Sequence, residues 1–417
     1  MFLLLLFAAG FSGSAVADAS PAQKVFERLR EVAASPNYYW AWTGTWLRDW
    51  DPAGDPRLVV DMGGSFAPKP TKDVILSCSY QNYSNGRRAV INYADLCSIT
   101  GTWHDDRYYR INRAGLTAAV KRQWQEFGGI MVFSWHMDHP YCRYGYKKDS
   151  YRFKSDGGNR NVIRQILDGD GIPCGTDTIS GANKRKPCAN PREWFLKSLR
   201  DVADFFNGLV DEKTGNKIPV IVRYPHECDG DWFWWGRTWC SADEFRRFCR
   251  MEADFLQKAC GDGQILFAYT PDRTWKEFGK EGDSGNTFLA YYAGDAYTDI
   301  VGLDDYSIGS GDDAAVELRF NETVRKLRLM SDFAAARGKV AVLSESGGKD
   351  RRDDFWRYLH RVATADGVSV AFVNTWSWIY GTTPLNDLSE KEERAFAARP
   401  QVLMEGAGVG FREDANH

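Results

Sequence analysis

The stretch REWFLKSLRDVADFFNGLVDEKTGNKIPVIVRYPHE, residues 192–227, changes its period partway along. Up to Val210 the apolar residues recur at three- and four-residue spacing, the pattern of an amphipathic helix. From Ile218 the chain becomes a short β-branched run that ends in His226 and Glu227, which reads as a buried strand. The same alternation extends in both directions. Strand-like runs begin at Asn37 (NYYWAW), Asp73 (DVILSCSY), Gly129 (GIMVFSWH), Gln264 (QILFAYTPD), Asp299 (DIVGLDDYS), Lys339 (KVAVLSES) and Val368 (VSVAFVNTW). Helical periodicity marks GLTAAVKRQWQEFG from Gly115, DEFRRFCRMEADFLQKACG from Asp243, NETVRKLRLMSDFAAARG from Asn321 and DDFWRYLHRVATADG from Asp353. Eight strands with intervening helices predict a (β/α)8 barrel.

An open doubly wound sheet would call for a glycine-rich phosphate turn after an early strand, and no G-x-G-x-x-G follows one here. No internal repeat or Gly/Pro/Ser linker divides the chain. The segments 142–190 and 271–288, rich in Gly, Lys, Asp and Tyr, read as loop insertions, so residues 18–417 are expected to form one barrel domain.

Of the 417 residues 43% are hydrophobic and 26% charged, a globular balance with enough apolar side chains for a sizeable core. The net charge of −3 and the lack of a basic block leave nucleic acid without an electrostatic footprint. The first residues, MFLLLLFAAGF followed by small residues up to Ala15-Val16-Ala17, read as a signal peptide over 1–17. That run is too short for a permanent span, so a secreted or periplasmic protein, free of the membrane after cleavage and monomeric, is expected.

Nine cysteines suit an oxidising compartment. Cys174 with Cys188, and Cys78 with Cys97, bracket loops that disulfides could staple; scattered buried thiols are the alternative. Cys228 has no separate His and Asn signature around it and reads as packing.

In a barrel of this kind chemistry sits at the C-terminal strand ends. There the sequence places His136 on the third strand, His226 and Glu227 on the fourth, Asp304 and Tyr306 on the sixth, Glu345 on the seventh and Trp376 on the eighth. Two glutamates from different strands thus converge on one mouth. Alternation puts Arg223 on the face of Glu227, one layer lower, where a cation would favour an ionised carboxylate. Glu227 precedes the aromatic run DWFWWG, whose partial desolvation would raise its pKa. Two carboxyls held at different pKa values are what cleavage of a glycosidic bond requires. Indoles such as Trp232 offer flat faces for the C–H faces of sugars, beside His, Asp and Arg for the hydroxyls. Trp234 and Trp235 read as packing, since alternating positions cannot all face a cleft. His136 with His139, and the pair His226-Glu227, are reminiscent of metal ligands, but no H-E-x-x-H follows; neither metal nor cofactor is expected.

The run HECDGDWFWWG resembles the HE-x-x-G-x-WFWWG signature of glycoside hydrolase family 26, and WHMDHP, GLDDY, LSESG and NTW are similar to its other strand-end motifs, in the same order. The resemblance covers roughly residues 120–380. It implies a retaining hydrolase of β-1,4-mannosidic linkages in mannan, glucomannan or galactomannan, with Glu227 as acid/base and Glu345 as nucleophile. It also implies substrate contacts from His136, His226 and Trp232, a Tyr306 hydrogen bond to the nucleophile with Asp304 in support, and Trp376 as the platform under the reacting sugar; for Arg223 and Asp304, direct contact with the substrate and support from behind are both open. The chain departs from the family pattern at Cys228 (usually Met), at His139 (commonly Asn) and at Ser377 (Arg in many mannanases), and its loop offers Tyr144, Tyr146 and Tyr151 rather than a tryptophan. The family also contains β-1,3-xylanases and mixed-linkage β-glucanases. A barrel that binds polysaccharide without cleaving it is the remaining alternative.

Overall fold

A computed structural model of the protein describes residues 19–43, 87–100, 113–137, 140, 161–169, 190–347, 354–376, 387–406 and 408–412. The expected signal peptide, Cys78, Cys174, Cys188, His139, Tyr144, Tyr146, Tyr151 and Ser377 lie outside the described residues.

Eight parallel strands form the barrel: β1 (Tyr38–Thr43), β2 (Ile91–Asp95), β3 (Ile130–Ser134), β4 (Val220–Arg223), β5 (Ile265–Tyr269), β6 (Ile300–Asp305), β7 (Val340–Ser346) and β8 (Phe372–Trp376). They pair in sequence order, and β1 closes the ring by pairing with both β8 and β2. A short β9 (Val402–Leu403) adds to the start of β1, Tyr38 opposite Val402. Every residue of β1 to β8 is buried. That is why the runs read as continuous apolar blocks without a polar alternate.

The second place in the ring belongs to INYAD (Ile91–Asp95), in register with β1 through Trp42 and Asn92. The run expected in that place, from Asp73, lies outside the described residues. Asn and Asp interrupt the apolar pattern of INYAD, which hides it in the sequence.

The helices around the ring are α1 (Pro21–Ala33), α2 (Arg113–Phe127), α3 (Val162–Asp168), α4 (Pro191–Asn207), α5 (Ala242–Cys260), α6 (Asp313–Arg337), α7 (Phe355–Ala363) and α8 (Asp387–Ala397). Their ends follow local chemistry. Asn190 caps α4 by accepting from the N–H groups of Arg192 and Glu193, with Pro191 in the first turn. A Ser241/Glu244 capping box starts α5. Helix α6 begins at Asp313, eight residues before the periodic run from Asn321, because Asp312 accepts from Ala315 N and caps it there.

The buried face of α5 carries Phe245, Phe248, Cys249, Ala253 and Leu256, and among them Glu252. Among the described residues neither Glu252 oxygen has a hydrogen-bond partner, and burial pushes its carboxyl up to about 8. Cys228, Cys240 and Cys249 are buried thiols whose pKa values burial raises, which suits packing rather than reactivity.

Candidate active site

The strand ends bring three carboxyls together. One oxygen each from Glu227, Asp304 and Glu345 lies within 4.8 Å of the other two. Arg223, the last residue of β4 and fully buried, organises the floor beneath them. Its Nη1 donates to Glu345 Oε1 and, at 2.9 Å, to Ser134 Oγ. Its Nη2 donates to Asp304 Oδ2 at 2.6 Å, and Nε donates to Thr270 Oγ1 at 3.0 Å. Burial alone would lower the pKa of this guanidinium, but Asp304 and Glu345 outweigh it and hold the pKa above the ordinary value.

A register shift explains how both acids reach one arginine. Leu303 stands opposite Leu343, yet Asp304 stands opposite Glu345, so Ser344 is the extra residue of a bulge in β7. The bulge turns Ser344 and Glu345 to the same side. Ser344 Oγ donates to Asp304 Oδ1, while Tyr306 Oη donates to Glu345 Oε2 at 2.5 Å. Burial and Glu345 raise the Tyr306 phenol, which keeps it protonated as a donor.

Glu227 reaches the mouth by another route. Strand β4 stops at Arg223, and Tyr224–Glu227 leave it in a turn, so simple alternation does not aim this side chain. Among the described residues Glu227 is the non-glycine with left-handed backbone, φ +53°. Such a conformation costs about 1–3 kcal/mol. It is held by Glu227 N donating to Thr270 O and by Gly230 N donating to Glu227 O, both at 3.0 Å. The side chain accepts from Trp232 Nε1 at 2.5 Å. Arg223 gives Nη1 to Glu345 and Nη2 to Asp304, so the nearby carboxyls that this cation serves are those of β7 and β6. Burial, then Asp272, Glu345 and Asp304, push Glu227 well above the usual carboxylate range, and the Trp232 N–H offsets this only in part.

The aromatic run divides by side. Trp232 is partly exposed beside Glu227, whereas Trp234 and Trp235 are buried. Trp235 Nε1 donates to His226 O at 2.8 Å and Trp234 Nε1 to Met137 O at 3.1 Å, so these indoles brace the loop from behind. Phe233 stacks on Trp235 at 4.5 Å, and the His226 ring packs against Phe233 at 5.0 Å. Burial, His136 and Arg223 hold His226 well below the ordinary histidine range, hence neutral.

His136 lies 4.6 Å from His226 and 6.3 Å from Trp376, ring centre to ring centre. Its Nδ1 lies 2.5 Å from Asp95 Oδ2, which fixes the ring. Thus all nine residues expected at the site, Glu227, Glu345, His136, Arg223, His226, Trp232, Asp304, Tyr306 and Trp376, lie at one end of the barrel. Sequence reasoning missed Asp95, Ser134, Thr270, Ser344 and Asp272. Asp95 ends the strand that was not recognised, and Asp272 closes QILFAYTPD, a strand end whose acid could have been read.

Residues 74–356 match the sequence profile of glycosyl hydrolase family 26. The chain belongs to this family. Among curated relatives, a mannan endo-1,4-beta-mannosidase of Bifidobacterium adolescentis is 34% identical over 213 residues, 48% of this chain and 20% of that protein. A mannan endo-1,4-beta-mannosidase of Bacillus subtilis strain 168 is 27% identical over 185 residues, 43% of this chain and 40% of that protein. The family 26 chain thus spans from about a fifth to two fifths of the length of these relatives. Among solved structures, GH26C from Muricauda sp. MAR_2010_75 superposes with a TM-score of 0.68 at 21% identity, covering 92% of this chain and 91% of that one. A Cellulomonas fimi endo-beta-1,4-mannanase double mutant gives 0.68 at 21% identity, covering 95% and 79%. At those identities the likeness is one of fold, and the fold is the family 26 (β/α)8 barrel.

Proposed function

We propose that the protein is a retaining, endo-acting hydrolase of β-1,4-mannosidic linkages in mannan, glucomannan or galactomannan. The observation that carries this reading is a pair of close carboxyls in opposite surroundings. Glu345 accepts from a permanent cation and a phenol, which hold it as a nucleophile would be held, whereas Glu227 is desolvated among other acids, the setting of a proton donor. Their oxygens lie within 4.8 Å, in keeping with the ~5–5.5 Å of retaining enzymes and short of the ~6.5–9.5 Å that an inverting water needs.

In the first step Glu345 attacks the anomeric carbon while Glu227 gives its proton to the departing glycosidic oxygen. The bond to the leaving sugar breaks as the ester to Glu345 forms. In the second, the Glu227 carboxylate takes a proton from water, whose oxygen attacks the same carbon and releases Glu345. Arg223 and Tyr306 hold the nucleophile in place throughout. Trp376 and Trp232 offer aromatic faces to the sugar, with His136 and His226 for its hydroxyls. The activity named for the curated relatives supports mannan as the substrate. Export through residues 1–17 would bring the enzyme to it.

Reducing-sugar release from mannan, lichenan and β-1,3-xylan, with proton NMR of the first product, tests the proposal. Mannan should be hydrolysed fastest, and the new reducing end should first form as the β-anomer. Preference for either other glycan would move the substrate assignment, and α-anomer as first product would overturn the double displacement.

A further inference from the structure

The loop that bears the proposed acid carries a second buried carboxyl, which the steps above leave unused. Asp229 lies two residues past Glu227 and is 1% exposed. Its side chain reaches across to the segment that follows β5. Oδ1 accepts from Asp272 N at 2.7 Å, and Oδ2 accepts from Thr274 Oγ1 at 2.6 Å and from Trp275 N at 3.0 Å. Burial pushes this carboxyl up to about 6 against the pull of those donors, so at neutral pH it is ionised and accepts through both oxygens.

What this grip holds is the turn of the acid. Gly230 N donates to Glu227 O at 3.0 Å, closing a turn that has Cys228 and Asp229 inside it. Glu227 N donates to Thr270 O at 3.0 Å, so the turn is fastened to the segment after β5 twice, by main chain at Glu227 and by side chain at Asp229. Between these attachments Glu227 keeps φ +53°, a conformation that a residue with a Cβ holds only where its surroundings over-determine it. Released at Asp229, the turn could relax out of that conformation, and the Glu227 carboxyl would swing with it. The anchoring segment is itself fixed. Lys326 Nζ, from α6, donates to the carbonyls of Arg273 and Trp275, and Asn286 Nδ2 donates to Thr274 O at 2.8 Å.

We infer that Asp229 is a positioning residue for the acid: its carboxylate clamps the turn to the segment after β5 and so aims the Glu227 carboxyl at the departing glycosidic oxygen. It acts through Glu227, so the inference deepens the proposed function and rests on Glu227 as the acid.

The test compares Asp229→Ala, which removes all three bonds, with Asp229→Asn, which keeps one acceptor oxygen, enough for Thr274 and Trp275, since these share Oδ2. Both are measured beside wild type and Glu227→Ala on mannan and on an activated aryl mannoside, with and without azide. Asp229→Ala should lose about 10²-fold in kcat on mannan, the size of loss that a misplacement of about 1 Å brings. Formation of the glycosyl-enzyme from the aryl mannoside, whose leaving group needs no proton, should be spared. Its breakdown needs Glu227 as base and should slow, and azide, which attacks the anomeric carbon without a base, should speed turnover. Asp229→Asn should recover part of the rate on mannan. An equal loss on both substrates with no effect of azide would reduce Asp229 to a merely structural role, and an unchanged kcat on mannan would likewise overturn the inference. Should Asp229→Ala fail to fold, Thr274→Val, which removes one of the three donors, is read by the same criteria. Glu227→Ala separates the two failures. If it too lacks the leaving-group pattern, the proposed acid is wrong and the inference falls with it; if it shows the pattern and Asp229→Ala does not, the inference alone falls.

Discussion

Glu227 and Glu345 are one residue type with different neighbours, and kinetics should tell them apart. Glu227→Ala should lose about 10²- to 10⁴-fold on polysaccharide, whose leaving oxygen needs a proton. With an activated aryl mannoside the glycosyl-enzyme should still form and then persist, and azide, which needs no base, should restore turnover. Glu345→Ala should be nearly inactive on both substrates with no covalent intermediate. Like behaviour of the two variants on the aryl mannoside would reverse or void the assignment. Both residues were legible because each closes an apolar run where a barrel keeps its chemistry. The relation of Arg223 to Glu227 was not. Alternation assumes a continuing strand, and β4 ends at Arg223, after which the left-handed backbone at Glu227 resets the direction of the side chain.

The loop from Tyr224 to Gly236 works as a unit in which a glycine makes room for an indole. A Cβ on Gly230 would lie 2.5 Å from two ring carbons of Trp232, well inside contact distance. Gly230→Ala should therefore shift Trp232 and loosen its hydrogen bond to Glu227. A tenfold fall in kcat/KM, roughly 1.4 kcal/mol, is the expected size. Because the indole N–H favours the ionised acid, losing it should move the alkaline limb upward. A pH profile with the limb unmoved would mean that the indole stayed in place. At this scale legibility ends where the apolar pattern breaks. Ser344 and Glu345 read as facing opposite sides until the bulge in β7 turns them together, and INYAD carries too much polarity to read as a buried strand.

At the scale of the whole molecule the apolar packing is interrupted at Glu252, an acid on the buried face of α5 with no hydrogen-bond partner among the described residues. Its folded pKa of about 8 lies above the 4.5 of an exposed glutamate. A group raised in this way contributes full stability below pH 4.5, and that contribution is lost as pH rises toward 8. Glu252→Gln should remove this dependence, so that its stability relative to wild type grows as pH rises from 4.5 toward 8, by about 3 kcal/mol between pH 4.5 and 7. Melting curves that run parallel across that range would refute the buried-acid reading. The position was readable, since Glu252 falls in step with Phe245, Phe248, Cys249 and Leu256, but the helix pattern alone does not say whether such an acid finds a partner.

The pairing of β9 with β1 has a further result. Val402 lies beside Tyr38, Phe411 N donates to Gly128 O just before β3, and Ala22 N donates to Gly263 O just before β5. Both described ends of the chain are therefore fastened beneath the strand starts, at the pole of the barrel remote from the carboxyls. Anchored to a solid support at Ser20 or Arg412, the molecule would stand with its mouth turned outward. Fibres too large to diffuse could then be brought to the immobilised protein without the support obstructing the cleft.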